Sequence, residues 1–156
     1  LGARLIINLE KLYLSLKKLE LKITNTNEYY EHSHELGIPQ KDMRKLQNKL
    51  FGIECNFEEL NGIDFKKGCY VGQENTARIK LKNKLSKRLL PIQLISGHLN
   101  EGASIYNGET EIGKVLVNNA FPFALIKYRD NNFNEDNEFT SEMAIIKIKK
   151  PKWIKN

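Results

Sequence analysis

The sequence predicts an α+β fold, with helices in the first half of the chain and a small antiparallel β-barrel in the second. Before residue 87, apolar residues recur at helical spacing behind polar capping residues. After it, short β-rich runs follow one another between turn residues. The pair Asn107-Gly108 between two of these runs is the strongest short hairpin signal. We therefore expect two domains, at residues 1–86 and 87–156.

The first twenty-five residues predict a strand and then a helix. The apolar run Leu5–Ile7 is expected to be a buried strand, and Asn8 can cap the helix that follows. We expect the apolar stripe of this helix to lie in the core. The stripe consists of Leu9, Leu12, Tyr13, Leu16 and Leu19.

A second helix is predicted behind the polar run at residues 24–27, and Gly37 ends it. Glu28 follows Asn25 by three residues, which is a weak capping signal. His32 and His34 lie two residues apart on this helix, so they do not face each other and cannot chelate one metal ion. We expect surface or internally hydrogen-bonded histidines.

The pattern between the helices and the strands is mixed. A short helical stretch passes through Met43, Leu46 and Leu50, and turns follow it. Gln73 to Arg78 predicts another helix, whereas residues 79–81 fit a helix or a strand equally well. The predicted strands are residues 89–95, 103–106, 109–117, 124–128 and 144–148, with a polar loop at 130–138.

Composition excludes several classes of protein. The two cysteines, Cys55 and Cys69, form neither a CxxC pair nor a zinc spacing, so no disulfide framework is expected. No signal peptide or bilayer-spanning stretch is visible, which predicts a reducing intracellular compartment and no membrane partner.

The net charge of +6 raises the question of an anionic partner. The solvated face of a half-buried element explains the densest basic run, and a track for phosphate is the alternative. No aromatic stacking set is interleaved with these cations, so RNA binding is compatible with the sequence but not favoured. The run comprises Arg78, Lys80, Lys82, Lys84, Lys87 and Arg88.

Residues 66–74 fit neither helix nor strand periodicity, and they concentrate unusual residue types. Gly68 and Gly72 allow backbone angles, or a close ligand approach, that a side chain would forbid. If a helix begins near Gly72, its free amides and the two preceding lysines favour a thiolate at Cys69. A tight turn with a small buried cysteine is the alternative, and the residues leave both interpretations open.

The octapeptide Lys67–Glu74 resembles the hallmark K-G-C-[YF]-x-G-Q-E of the YgfZ family at every specified position. These are folate-binding proteins related to the aminomethyltransferase (T-protein) of the glycine cleavage system. Residues 37–39 resemble the family's G-I-P turn, and residues 54–56 its E-[AS]-N element. Residues 76–78 and 87–89 resemble the family's segments after the signature, and the resemblance runs from about Leu1 to Tyr128, weakest at the start.

The resemblance implies the C-terminal part of a GcvT/YgfZ-like folate-binding fold in residues 1–86, followed by a β-barrel domain in residues 87–156. It implies tetrahydrofolate or a related folate as cofactor, and Cys69 as the reactive or ligand-sensing group. No metal site is expected, because a cluster ordinarily needs several thiolates. The implied cofactor-binding residues are Lys67, Gly68, Tyr70, Gly72, Gln73, Glu74, Glu54 and Arg78.

The resemblance also implies a role in the assembly or repair of iron–sulfur clusters, including those of tRNA-modifying enzymes. The partners would be iron–sulfur client enzymes or assembly proteins, in the bacterial cytoplasm or the mitochondrial matrix. The rival classes are a tetrahydrofolate-dependent aminomethyltransferase of the T-protein type and a basic RNA-binding module, so enzymatic activity stays open. Family members carry an N-terminal half before the position of Leu1, and we therefore expect this chain to be a fragment.

Overall fold

The structure is a computed structural model that describes residues 5–81, 85–127 and 136–154. Its helices are α1 (Leu9–Lys18), α2 (Thr26–Glu35) and α3 (Gln73–Leu81), with a 3₁₀ helix at Met43–Leu46. Its strands are β1 (Lys87–Ser96), β2 (Ser104–Asn107), β3 (Thr110–Val117), β4 (Phe123–Lys127), β5 (Glu138–Ser141) and β6 (Ala144–Ile148).

The six strands form a closed antiparallel barrel in the order β1-β4-β3-β2-β5-β6. The predicted small β-barrel is therefore confirmed. Alternate side chains along the strands point inward and exclude water, which is the main source of the barrel's stability. The fully buried interior includes Ile92, Ile105, Ile112, Val115, Ile126, Phe139, Ile146 and Ile148.

The predicted hairpin joins β2 and β3, but its turn lies one residue later than expected. Asn107 pairs with Thr110, so the two-residue loop is Gly108 and Glu109. Gly108 has a φ of 60°, which glycine adopts without steric cost. Strand β5 was not predicted, and it begins at Glu138, the last residue of the expected polar loop. Residues 130–135 of that loop lie outside the described residues.

Helix α1 begins where predicted, because the Asn8 side chain accepts a hydrogen bond from the Glu10 amide at 2.9 Å. The prediction that its apolar stripe lies in the core is wrong, since α1 contains no buried residue. The expected strand at residues 5–7 is also absent, and all three residues are exposed. Helical spacing predicts an apolar face but not what covers it, and in the described part of the chain only Leu12 and Leu16 of this face are half-buried.

Helix α2 begins and ends as the sequence predicts. Asn25 accepts from the Glu28 amide at 3.1 Å and donates to the Glu28 carboxylate at 3.2 Å. Gly37 follows the helix with a φ of 69°. A β-carbon at Gly37 would overlap the ring of Pro151, so this glycine also allows the helix end to contact the segment after β6.

Two side chains attach α2 to the barrel. The Nε2–H of His34 donates to the Pro122 carbonyl at 2.9 Å, and the ring stacks edge-on against Phe123. Trp153 donates its indole N–H to the Leu36 carbonyl at 2.8 Å. A cavity of about 890 Å³ lies between α2, the β3–β4 connection and residues 149–153. His34 is therefore a hydrogen-bonded junction residue, whereas His32 is exposed.

Candidate functional site

The candidate site is the exposed loop formed by residues 66–72, which we call the signature loop. A turn begins the loop, because the Asp64 carboxylate accepts from the Lys66 amide at 2.8 Å. A second turn ends it, because the Gln73 side chain accepts from the Tyr70 amide at 3.3 Å. Gln73 is also the first residue of α3, so the residue whose side chain closes the loop is the one at which the helix begins.

The two glycines of the signature loop have different roles in the backbone. Gly72 has a φ of 85°, in the region that side chains disfavour, and it makes the turn into α3. Gly68 is not among the positive-φ glycines. A β-carbon at either position would meet no atom within 4 Å, so the space above both glycines is open to an approaching molecule.

The two thiols lie in different environments. Cys69 is exposed on the signature loop, directly before the turn into α3. Cys55 is half-buried and packs beside the apolar cluster of Leu89 and Phe123. Burial, with a smaller contribution from the negative charge of Glu54, raises the pKa of the Cys55 thiol to about 11. Cys69 is therefore the accessible nucleophile of the pair.

The side chains next to Cys69 interact mainly with one another. The Lys67 ammonium lies 4.4 Å from the centroid of the Tyr70 ring, which is a cation–π contact. Glu74 and Arg78 form an ion pair at 2.8 Å across one turn of α3. The loop thus exposes the Cys69 thiol next to Tyr70, whose ring is in contact with the Lys67 ammonium.

Three of the predicted cofactor-binding residues share one face of α3. Gln73, Glu74 and Arg78 line a shallow cavity of about 400 Å³ together with Ala77 and Leu81. This face offers an amide, a carboxylate and a guanidinium beside an apolar floor. Glu74 and Arg78 are already paired with each other, and the exposed lining of the cavity is mostly apolar, so this surface suits the face of a flat ring.

Glu54 is not part of that cavity lining. Its carboxylate accepts from the Phe51 amide at 3.0 Å, and its carbonyl accepts from the Leu89 amide at 2.8 Å. These bonds close a turn and attach it to the start of β1. In this structure Glu54 therefore closes a turn and does not line the α3 cavity.

A polar cluster that the sequence analysis missed connects the site to the barrel. Arg88 on β1 forms an ion pair with Glu59 at 2.6 Å and donates to Asn56 at 2.9 Å. Asn56 in turn donates to the Leu89 carbonyl at 2.8 Å. The neighbouring residue Glu58 binds Lys80 of α3. Two consecutive glutamates thus bind α3 through one side chain and β1 through the other. Their adjacent positions in the sequence were the available signal for this cluster.

Ion pairs involve three of the four residues of the basic run that the structure describes. Arg78, Lys80 and Arg88 each pair with a carboxylate, and Lys82 and Lys84 lie outside the described residues. Paired cations offer less to a polyanion than free ones, because binding would first break the existing ion pair. The structure therefore favours the solvated-face interpretation for the cations that it describes.

Residues 5–81, 85–127 and 136–154 contain neither a candidate metal site nor a helix that could span a membrane. No group of three or more His, Cys, Asp or Glu side chains there is arranged to hold a metal ion. No helix within these ranges has the length and apolar character needed to cross a membrane. The larger cavity beside α2 is lined by none of the signature-loop residues.

Part of the chain is similar to iron–sulfur cluster assembly factors, although no family model matches it. The chain is 38% identical over 80 residues to the mitochondrial iron-sulfur cluster assembly factor IBA57 homolog of Aspergillus oryzae. The matched segment covers 49% of this chain and 18% of that protein. The human mitochondrial factor IBA57 is 31% identical over 93 residues, covering 56% and 26%. The Dictyostelium discoideum homolog is 43% identical over 56 residues, covering 36% and 14%.

The chain therefore spans about a quarter or less of the length of these relatives. Each likeness is to one part of a longer protein. Over that part, the chain is similar to iron–sulfur cluster assembly factors of mitochondria.

Proposed function

We propose that this chain acts in the assembly or repair of iron–sulfur clusters, as a folate-binding protein of the YgfZ type with Cys69 as its functional group. The observation that carries the proposal is the exposure of Cys69 on the signature loop, in a chain similar to iron–sulfur cluster assembly factors. A cysteine that served only to fill a turn would be buried, as Cys55 is in part.

The chemistry of a single accessible thiol defines the step that it can perform. A thiolate binds iron or sulfur and can attack an oxidised cluster, but a stable cluster ordinarily needs several thiolates. We therefore propose transient contact between Cys69 and a cluster carried by a client enzyme or an assembly protein. Val71 follows Cys69 by two residues and is fully exposed, so a macromolecular partner can reach the signature loop.

Folate binding is the second element of the proposal. We propose that the flat pterin ring lies against the apolar α3 surface bordered by Gln73, Glu74 and Arg78, and the open space above Gly68 and Gly72 allows close approach. Residues 1–86 would then be part of a GcvT-like folate-binding domain, and residues 87–156 the barrel domain. We place the protein in the mitochondrial matrix, because the named relatives are mitochondrial.

The role in cluster assembly is tested in cells that lack the protein. We expect iron–sulfur enzyme activity to fall in these cells and to recover when the gene is returned. Enzymes of the same compartment that carry no cluster are the control, and their activity should not change. Equal loss in both groups of enzymes would contradict a specific role in cluster assembly.

The folate proposal is tested by calorimetric titration with tetrahydrofolate. Gln73→Ala removes an amide from the α3 face and should weaken binding, whereas Gln93→Ala removes one from the lining of the larger cavity and should not. The reverse result would place the folate in the cavity beside α2.

A further inference from the structure

One lysine outside the signature loop connects the two points where the chain enters and leaves it. We define the loop base as Phe65, which directly precedes the loop, and helix α3, which follows it. Lys80 lies on α3, seven residues after Gln73. Its ammonium lies 5.5 Å from the centroid of the Phe65 ring, which is a cation–π contact. Lys80 therefore joins the two sides of the loop base.

The same ammonium is bound by a carboxylate that lies before the loop. Lys80 forms an ion pair with Glu58, and both side chains are partly exposed. Glu58 belongs to a hydrogen-bonded turn. The Phe57 carbonyl accepts from the Gly62 amide at 2.6 Å and from the Ile63 amide at 3.1 Å. The partner of Lys80 is therefore held in place by its own backbone.

This turn is also attached to the barrel. Glu59 follows Glu58 in sequence and forms an ion pair with Arg88 of β1. The contacts run from β1 through the two glutamates to Lys80, and from Lys80 to Phe65. The loop base is thus connected to the barrel and not only to its neighbours in sequence.

The two hydrogen bonds that shape the signature loop are local. The Lys66 amide donates to Asp64, and the Tyr70 amide donates to Gln73, over two and three positions of sequence. Such bonds close turns, but they do not join the beginning of the loop to its end. A contact across the base reduces the number of conformations open to the residues between, which include the exposed Cys69.

We propose that Lys80 is a positioning residue for Cys69. Its contacts with Phe65 and Glu58 hold the signature loop in the arrangement that presents the thiol to a partner. The inference rests on the proposed function of Cys69 in cluster assembly or repair, and it adds a residue outside the loop to that function.

A nitroxide spin label on Cys69 tests the positioning role by electron paramagnetic resonance. The label is placed in the full-length protein, with other reactive cysteines replaced by serine. Lys80→Met should raise the ratio of mobile to immobile label about fivefold, because two contacts of the strength usual at exposed sites are lost. Lys80→Arg keeps a cation for the ring and the carboxylate, and should keep the wild-type spectrum. Lys45→Met is the matched control, since it breaks a partly exposed ion pair with Glu101 outside the loop base.

The same substitutions, without the label, are tested in cells that lack the protein. Lys80→Met should recover less iron–sulfur enzyme activity than the wild type, whereas Lys80→Arg and Lys45→Met should recover as much. An unchanged spectrum for Lys80→Met, or an equal change for Lys45→Met, would overturn the proposal. Full recovery by Lys80→Met where Cys69→Ala is inactive would also overturn it. Full recovery by Cys69→Ala would instead remove the proposed function, and the spectra would still decide whether Lys80 holds the loop.

Discussion

At the residue scale, the two thiols of the chain should differ in reactivity, because Cys69 is exposed and Cys55 is half-buried. The raised pKa of Cys55, about 11, leaves roughly one thiol in ten thousand ionised at neutral pH. Cys69 is exposed, so alkylation at neutral pH should label it well before Cys55. Mass spectrometry of the labelled peptides measures both rates, and Cys69→Ser should leave only the slow reaction. Equal rates for the two thiols would contradict the assigned environments.

The glycines of the signature loop give a matched pair of substitutions. Gly72→Ala forces a side chain into a positive-φ backbone and should lower the free energy of unfolding by about 1–2 kcal/mol. Gly68→Ala meets neither a positive φ nor a neighbouring atom, so its effect should stay within about 0.5 kcal/mol. Urea unfolding of both variants measures the difference. A larger loss for Gly68→Ala would show that the loop has another conformation.

At the element scale, the attachment of α2 to the barrel should depend on pH through His34. Burial lowers the pKa of His34 below its ordinary value of 6.5, although its bond to Pro122 and the charge of Glu35 oppose the shift. At a pH between the pKa of His34 in the folded chain and its higher pKa in the unfolded chain, the unfolded chain binds more protons than the folded one. The stabilisation from neutral His34 is therefore complete above pH 6.5 and is lost as the pH falls through this window.

The measurement is the free energy of unfolding as a function of pH, for the wild type and two variants. His34→Gln should remove part of the acid-side loss of stability and lower the stability at neutral pH. His32→Gln is the control, because His32 is an exposed residue of the same helix and should leave the pH dependence unchanged. An unchanged slope for His34→Gln would assign the acid sensitivity to other groups.

The sequence predicts elements well where their signals are local. Asn8 and Asn25 predict where helices begin, because the capping hydrogen bond joins residues that are only two or three positions apart in the sequence. Strand β5 has only four residues, two of them buried, and its place is set by pairing with β2 and β6 rather than by its own sequence. Whether the apolar face of α1 is buried depends on contacts with residues far away in the sequence. The spacing of its leucines therefore could not show that this face is exposed.

At the scale of the whole molecule, the Arg88–Glu59 pair connects the segment before α3 to the barrel. Arg88→Met leaves the Glu59 carboxylate half-buried without its cation, and should cost about 2–3 kcal/mol of unfolding free energy. The double variant Arg88→Met with Glu59→Gln removes both charges and should be more stable than the single variant. Thermal unfolding compares the two. A double variant less stable than Arg88→Met would contradict the pairing.

The same pair shows why the site could be predicted only in part. The signature loop is contiguous in sequence, so its residues are recognisable without a structure. Glu59 and Arg88 lie 29 positions apart, and only the fold brings them together. The barrel was predictable as a class from its hairpin and short apolar runs, but the closing contact of β1 with β6 depends on the whole chain.

The most direct test of the account measures cluster-dependent activity and folding stability for the same substitution, Cys69→Ala. Because Cys69 is exposed, the variant should unfold at the wild-type temperature. Returned to cells that lack the protein, it should leave iron–sulfur enzyme activity at the level of the deficient cells, whereas Cys55→Ala restores it. Full recovery of iron–sulfur enzyme activity by a stable Cys69→Ala protein would contradict the functional role of this thiol.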